Sequence, residues 1–114
     1  MGNVNKSVLG QFTGTMNYYE VLGSKVTDGV KYLMDNGYSW FVTDFLVMAK
    51  MKRALRKEAF LSIELELMEG SKGKMIVTDG NNTSMYKQRY EYTDAETEIK
   101  MFFCDNVLML RSEY

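Results

Sequence analysis

An alternating segment in the second half of the chain decides the fold. It reads Leu61-Ser62-Ile63-Glu64-Leu65-Glu66-Leu67-Met68. Successive side chains of a β-strand point to opposite faces, so this period of two predicts a strand with one dry and one wet face. The wet face carries Glu64 and Glu66, and we expect the dry face to be buried against a second layer.

More strands are expected after this segment, because turn residues separate several short apolar runs. Asp79-Gly80 predicts a hairpin turn, and Asp105-Asn106 predicts a two-residue reversal. The predicted strands are residues 75–78, 85–92, 99–104 and 107–110. Connections this short leave no room for crossover helices, so we expect a mainly antiparallel meander of four or five strands with the last strand at an edge.

Before Glu58 the apolar residues recur at helical spacing instead. Thr27 and Asp28 can cap a first turn, and Asn36-Gly37 predicts a break before a long helix over residues 38–56. A short helix is expected within residues 8–22. The fold class is therefore α+β: two or three N-terminal helices packed on one face of the sheet, in a single domain 1–114 that is mainly helical over 1–57 and mainly strands over 58–114.

The composition excludes several kinds of chemistry. The chain has no His and a single Cys among its 114 residues, which removes Ser–His and Cys–His dyads, imidazole metal sites and an internal disulfide. Neither end carries a secretion or lipidation signal, and the most apolar run is too short to span a membrane. We expect a cytoplasmic protein with no cofactor, no bound metal and no catalytic residues.

Charge is distributed unevenly along the chain. Residues 1–57 contain eight basic and four acidic side chains, whereas residues 58–114 contain six basic and eleven acidic ones. The densest cluster comprises Lys50, Lys52, Arg53, Arg56 and Lys57. It could bind phosphates or an acidic protein surface, or it could simply offset the dipole at the end of the long helix.

The single acid within the most apolar run is Asp44, between Phe41 and Met48. A carboxylate there is either exposed on the outer stripe of the helix or buried, and a buried one needs a hydrogen-bond partner or a raised pKa. We interpret Asp44 as a structural acid with Tyr18, Tyr19, Lys31 or a backbone amide as its partner. Other carboxylates, at Glu91, Asp94, Glu96 and Glu98, surround a turn where solvation explains them.

Methionine and aromatic residues are unusually frequent, with 10 Met, 8 Tyr and 6 Phe. Most are expected in the core, and those on the solvent side of the strands would form an adaptable apolar contact surface. Tyr86, Tyr90 and Tyr92 recur at a period of two. Among them we choose Tyr86 as a candidate contact residue.

Five short segments of the sequence, in a fixed order, form a pattern that is found in a known family. They are residues 11–15 (QFTGT), 27–33 (TDGVKYL), the spacing from Trp40 to Asp44, 92–94 (YTD) and 108–114 (LMLRSEY). Over residues 11–114 the chain resembles an uncharacterised family of small bacterial and phage-encoded proteins, a domain of unknown function. The resemblance implies no enzymatic activity. The resemblance does imply a biological role, because small phage or mobile-element proteins often block host defence nucleases by binding them.

Three hypotheses follow. The first is a non-catalytic protein-binding factor from a phage or mobile element, with inhibition of a host defence complex such as a CRISPR effector as its role. Its contacts would come from the basic cluster, Glu64 and Glu66, and Tyr86. The second is a nucleic-acid-binding accessory protein that uses the basic cluster. The third is an acid-dependent enzyme, which requires two of Asp28, Asp44 and Asp94 to converge. Self-association remains open in all three.

Overall fold

The computed structural model of the chain describes residues 9–81, 83–93, 95 and 97–114. Among these residues it contains seven strands and three α-helices. In chain order they are β1 (Tyr18–Val21), β2 (Ser24–Thr27), α1 (Asp28–Leu33), α2 (Ser39–Met51), α3 (Arg53–Arg56), β3 (Phe60–Met68), β4 (Lys72–Asp79), β5 (Ser84–Tyr90), β6 (Ile99–Cys104) and β7 (Val107–Leu110). The α+β class is thus confirmed.

All seven strands form one sheet in the order β1-β2-β7-β6-β3-β4-β5. Every neighbouring pair is antiparallel except β2 and β7, which run parallel. The predicted count of four or five strands is too low. A simple meander is also wrong beyond β5, because Ile99 of β6 pairs with Leu65 of β3 rather than with β5.

The additional strands come from the N-terminal half. The short helix predicted within residues 8–22 is replaced over 18–21 by β1, which pairs with β2 around a tight turn. Leu22 and Gly23 form that turn with φ of 52° and 82°, and residue 8 lies outside the described part of the chain. β2 then occupies the flank of β7, so the prediction that the last strand lies at an edge is wrong. The described edge strands are β1 and β5.

The helical prediction is partly confirmed. Thr27 is the N-cap of α1, and its hydroxyl accepts a hydrogen bond from the Val30 amide. Gly37 adopts a φ of 97° between α1 and α2, as expected for a break at Asn36-Gly37. The long helix nevertheless ends at Met51, because Lys52 is extended with φ −92° and ψ 112°. Within the described residues, no helix combines the length and apolarity needed to cross a membrane.

The helices cover one face of the sheet, here called the inner face. Phe41, Phe45 and Leu46 of α2 are at most 1% exposed, and the ring of Phe45 packs edge-on against Phe103 of β6 at 5.3 Å between centroids. The core strand residues on this face are at most 3% exposed: Val26, Leu61, Ile63, Leu65, Met75, Val77, Ile99, Met101, Leu108 and Leu110. The dry face predicted for the deciding segment is therefore the centre of the core.

The C-terminal residues close the structure at the start of α1. The Glu113 carboxylate accepts hydrogen bonds from the Thr27 hydroxyl at 2.5 Å, the Gly29 amide at 3.1 Å and the Leu110 amide at 3.0 Å. A Cβ at Gly29 would lie only 2.5 Å from Glu113 Oε1 and from Leu110 Cδ1. A larger residue at position 29 would therefore displace the Glu113 carboxylate, which satisfies a free amide at the helix N-terminus.

Replacing Glu113 should lower the free energy of unfolding. Glu113→Ala removes an acceptor for three donors, so we expect a loss of about 1–3 kcal/mol in urea unfolding, and a smaller loss for Glu113→Gln, which keeps one acceptor oxygen. Glu69→Ala is the control, because Glu69 is exposed. Equal unfolding midpoints for Glu113→Ala and Glu69→Ala would contradict this role of Glu113.

Candidate functional site

The predicted basic cluster lies at the junction of α2 and α3, a surface we call the basic corner. It consists of Lys50, Lys52, Arg53, Arg56 and Lys57, all of which are exposed. Lys50 belongs to the last turn of α2, and the two arginines lie on α3. Because Lys52 is extended, with φ −92° and ψ 112°, Lys50 and Arg53 do not lie on one continuous helix. The cations instead spread around a corner.

Backbone hydrogen bonds and one buried side chain hold this corner. The Lys52 amide donates to the Met48 carbonyl at 2.9 Å, and the Leu55 amide donates to the Lys52 carbonyl at 3.0 Å. Leu55 is only 2% exposed and anchors α3 to the core. The cations around Leu55 are therefore presented by a fixed backbone rather than by a free loop.

The charges of the basic corner have no acidic partner in the described part of the chain. The ion pairs there join Lys31 to Asp35, Lys74 to Glu66 and Lys100 to Glu64, at 2.7, 3.5 and 3.9 Å. The dipole of α2 accounts for Lys50 in its last turn. The other four cations lie beyond the end of α2. Helix α3 has only four residues, so its own dipole is too small to account for them.

Tyr86 is brought to the basic corner by the sheet. It lies on β5 in register with the buried Val77, and its hydroxyl donates to Gln88 Oε1 at 2.8 Å. Lys52 Nζ lies 5.8 Å from the centre of its ring, a distance at which the cation is attracted to the aromatic face. The structure therefore joins two of the candidate residues, Lys52 and Tyr86. The neighbouring Met51 is 70% exposed.

A cavity of about 330 Å³ adjoins this corner. Lys50 and Arg56 line it together with Glu58 and Asp105, so its charges are balanced. Asn106 also lines it and is held by bonds to the Ser24 side chain and the Gly23 carbonyl, at 2.7 and 3.0 Å. The balanced lining makes the cavity a poor phosphate site.

Glu64 and Glu66 are not part of this surface. They lie on the outer face of the sheet, which the helices leave uncovered, where Lys100 and Lys74 pair with them. Strand β3 places their side chains opposite the buried Leu65. The predicted partner-binding residues thus divide into two surfaces on opposite sides of the sheet.

Asp44 contacts none of the partners predicted for it. Its Oδ2 accepts a hydrogen bond from the Tyr90 hydroxyl at 3.1 Å, and the Tyr90 ring packs edge-on against Trp40 at 5.0 Å. Burial, followed by the negative charge of Asp44, raises the pKa of Tyr90. The period of two placed Tyr86 and Tyr90 on one face of a strand, but the pairing of Tyr90 with α2 depends on the sheet order.

The acids of the enzyme hypothesis do not meet in the described residues. The Met16 amide donates to Asp28 at 2.9 Å and lowers the pKa of that carboxyl. Asp28 therefore lies beside the β1 edge of the sheet, whereas Asp44 lies beside β5. Asp94 falls outside the described residues, as does Glu96. Among those described, no three His, Cys, Asp or Glu side chains group as a metal site.

An aromatic cluster on the outer face was not predicted. The rings of Phe60 and Phe102 lie 5.2 Å apart, and Tyr114 packs on both, at 5.5 and 5.0 Å. One signal was present in the sequence, because Phe60 shares the parity of Ser62 and Glu64 and so belongs to the wet face. The contribution of Tyr114 required the fold.

Comparison with known proteins gives a family. A family model matches residues 3–114, nearly the whole chain. The chain belongs to DUF6876, a family of unknown function. The resemblance to an uncharacterised family is thereby confirmed. No curated protein and no solved structure matches the chain. Membership in DUF6876 assigns no activity, so function has to be argued from the surfaces described above.

The Tyr90–Asp44 bond should make stability sensitive to alkaline pH. The unfolded chain ionises tyrosine near the ordinary pKa of 10.0, whereas folding raises the pKa of Tyr90 above that value. Its contribution is therefore complete below pH 10 and is lost as pH rises further. We expect the urea midpoint of wild type to fall more steeply above about pH 10 than that of Tyr90→Phe.

The matched control is Tyr92→Phe, because Tyr92 is 75% exposed. It should keep the wild-type dependence on pH. If Tyr90→Phe and Tyr92→Phe gave the same profile, the bond to Asp44 would carry none of this effect.

Proposed function

We propose that the protein is a non-catalytic protein-binding factor whose basic corner docks on an acidic surface of a partner protein. The supporting observation is the set of five exposed cations that have no acidic partner among the described residues. Exposed charges left unpaired on a fixed backbone steer encounter with a surface of opposite sign and set its orientation.

The surroundings of the cations favour a protein over a nucleic acid. Met51 is 70% exposed within the corner, and a flexible apolar side chain adapts to protein surfaces. The formal net charge of the chain is −1, whereas dedicated nucleic-acid binders are usually basic.

The proposal extends to a biological role, inhibition of a host defence complex such as a CRISPR effector in the cytoplasm of the host cell. Its support is the resemblance to small bacterial and phage-encoded proteins. A small protein that covers a nucleic-acid channel or a subunit contact of such a complex needs affinity but no catalytic groups. An acid-dependent enzyme is less well supported, since Asp28 and Asp44 make separate structural contacts.

Charge reversal in the basic corner should abolish partner binding. We expect Arg53→Glu/Lys57→Glu to lower recovery of a partner protein by at least about tenfold in affinity purification from nuclease-treated host lysate, because each like-charge contact costs affinity. The matched control is Lys87→Glu/Arg89→Glu, which also reverses one Lys and one Arg at exposed positions but on β5. The control should recover the partner as wild type does.

Two outcomes would overturn this proposal. One is equal recovery with both double variants, which would place the contact elsewhere. The other is loss of all partners on nuclease treatment, together with binding of a labelled DNA duplex that weakens steeply with salt. That result would favour the nucleic-acid hypothesis instead. Circular dichroism of each variant checks that it is folded.

A further inference from the structure

The outer face of the sheet carries a group of partly buried apolar side chains beside its charged residues. Phe60, Phe102, Val107 and Met109 are only partly buried, unlike the core residues of the inner face such as Leu61, Met101 and Leu108. Tyr114 covers the two phenylalanines, yet it is itself 73% exposed. Contiguous apolar patches of this kind mark interaction sites on soluble proteins.

The size of this face matches a standard interface. With about 3.4 Å per residue and about 4.8 Å between strands, the seven strands present about 700 Å² in projection. A stable protein–protein contact buries about 800 Å² on each partner. Two sheets packed face to face leave a gap of about 10 Å, which partly buried aromatic and methionine side chains can fill.

One charge pair, Lys100 and Glu64, makes the centre of the outer face complementary to itself. Lys100 of β6 and Glu64 of β3 are in register with each other and 3.9 Å apart. If a two-fold axis passes between β3 and β6, parallel to the strands, each strand faces the other in the second copy. Lys100 of each copy then faces Glu64 of the other, so the contact places opposite charges together twice.

The aromatic cluster lies on the same axis. Phe60 is on β3 and Phe102 is on β6, so the cluster straddles the boundary between these strands, with Tyr114 above it. The apolar side chains therefore occupy the centre, and Lys100 and Glu64 lie next to them. Glu66 is one row further out, and it keeps Lys74 of its own chain as partner at 3.5 Å.

We propose that the outer face binds a second copy of this chain, giving a two-fold dimer with the aromatic cluster at its centre and two Lys100–Glu64 pairs across it. The basic corner lies on the helical side of each copy and stays free in this dimer. Self-association and docking to another protein thus use opposite sides of the sheet.

Sedimentation equilibrium of the full chain over about 1 µM to 1 mM tests the dimer, since association depends on concentration. Wild type should approach twice the 13.2 kDa of one chain. Phe102→Asp should remain monomeric, because it buries a carboxylate at the centre. Arg53→Glu/Lys57→Glu, on the other side of the molecule, should dimerise as wild type does.

Mixing of charge variants separates contacts between chains from contacts within one chain. Lys100→Glu alone should weaken the dimer at least about tenfold, and Glu64→Lys alone should do the same, because each places two like-charge pairs across the axis. An equimolar mixture should dimerise as tightly as wild type. In the mixture both pairs across the axis are again opposite in sign, although the pair within each chain stays broken.

Cysteine crosslinking gives an independent readout. Cys104 is the single cysteine of the chain and lies on β6, so every crosslink made by a bis-maleimide joins two Cys104 side chains. Burial, then Asp105, raises the pKa of the Cys104 thiol, so the reaction is run for longer at about pH 7, where maleimides still select thiols over lysine amines. We expect crosslinked dimer with wild type and at least about tenfold less with Phe102→Asp.

The proposal is overturned if wild type remains monomeric up to about 1 mM. This holds whether the outer face is exposed to solvent or covered by another molecule. The proposal is equally overturned if the mixture of charge variants dimerises no better than either variant alone. Neither result contradicts the proposed function of the basic corner. That function is tested separately, by recovery of a partner protein with Arg53→Glu/Lys57→Glu.

Discussion

Strand β3 has a neighbour on each side, β4 and β6, and a shift of one residue in its register would turn its whole apolar row toward solvent. The α-helices need that row beneath them, since Phe41 and Phe45 are fully buried against the inner face. The same alternation sends Glu64 and Glu66 to the outer face. One periodic constraint thus sets both the core and the chemistry of the surface opposite the helices.

Local patterns in the sequence predicted the structures that local forces determine. The strands at 99–104 and 107–110 are confirmed with their bounds, because Asp105 and Asn106 both adopt the positive φ of a tight hairpin turn. Hydrophobic periodicity likewise identified α2 and β3. The cap at Thr27 and the break at Gly37 followed from residue types whose backbone preferences are strong.

What the sequence could not predict depends on distant contacts or on unusual local geometry. The hairpin of β1 and β2 requires a positive φ at Leu22, which a leucine gives no reason to expect. The parallel pairing of β2 with β7 joins opposite ends of the chain. Lys52 interrupts the long helix without glycine or proline. The basic corner was therefore visible as a cluster, but its shape and its contact with Tyr86 were not.

The bond network of Glu113 has a consequence for biosynthesis. The N-terminus of α1 forms from residues near 28, yet its free amide at Gly29 is satisfied by a side chain 84 positions later. Strand β2 likewise gains its parallel neighbour only when residues 107 and 108 are present. On the ribosome, the first half of the chain would emerge with an open flank that no earlier segment can fill. The pairing of β2 with β7 and the bond from Gly29 to Glu113 would then form late and together. Contacts between residues so far apart in sequence slow folding and favour protection by chaperones.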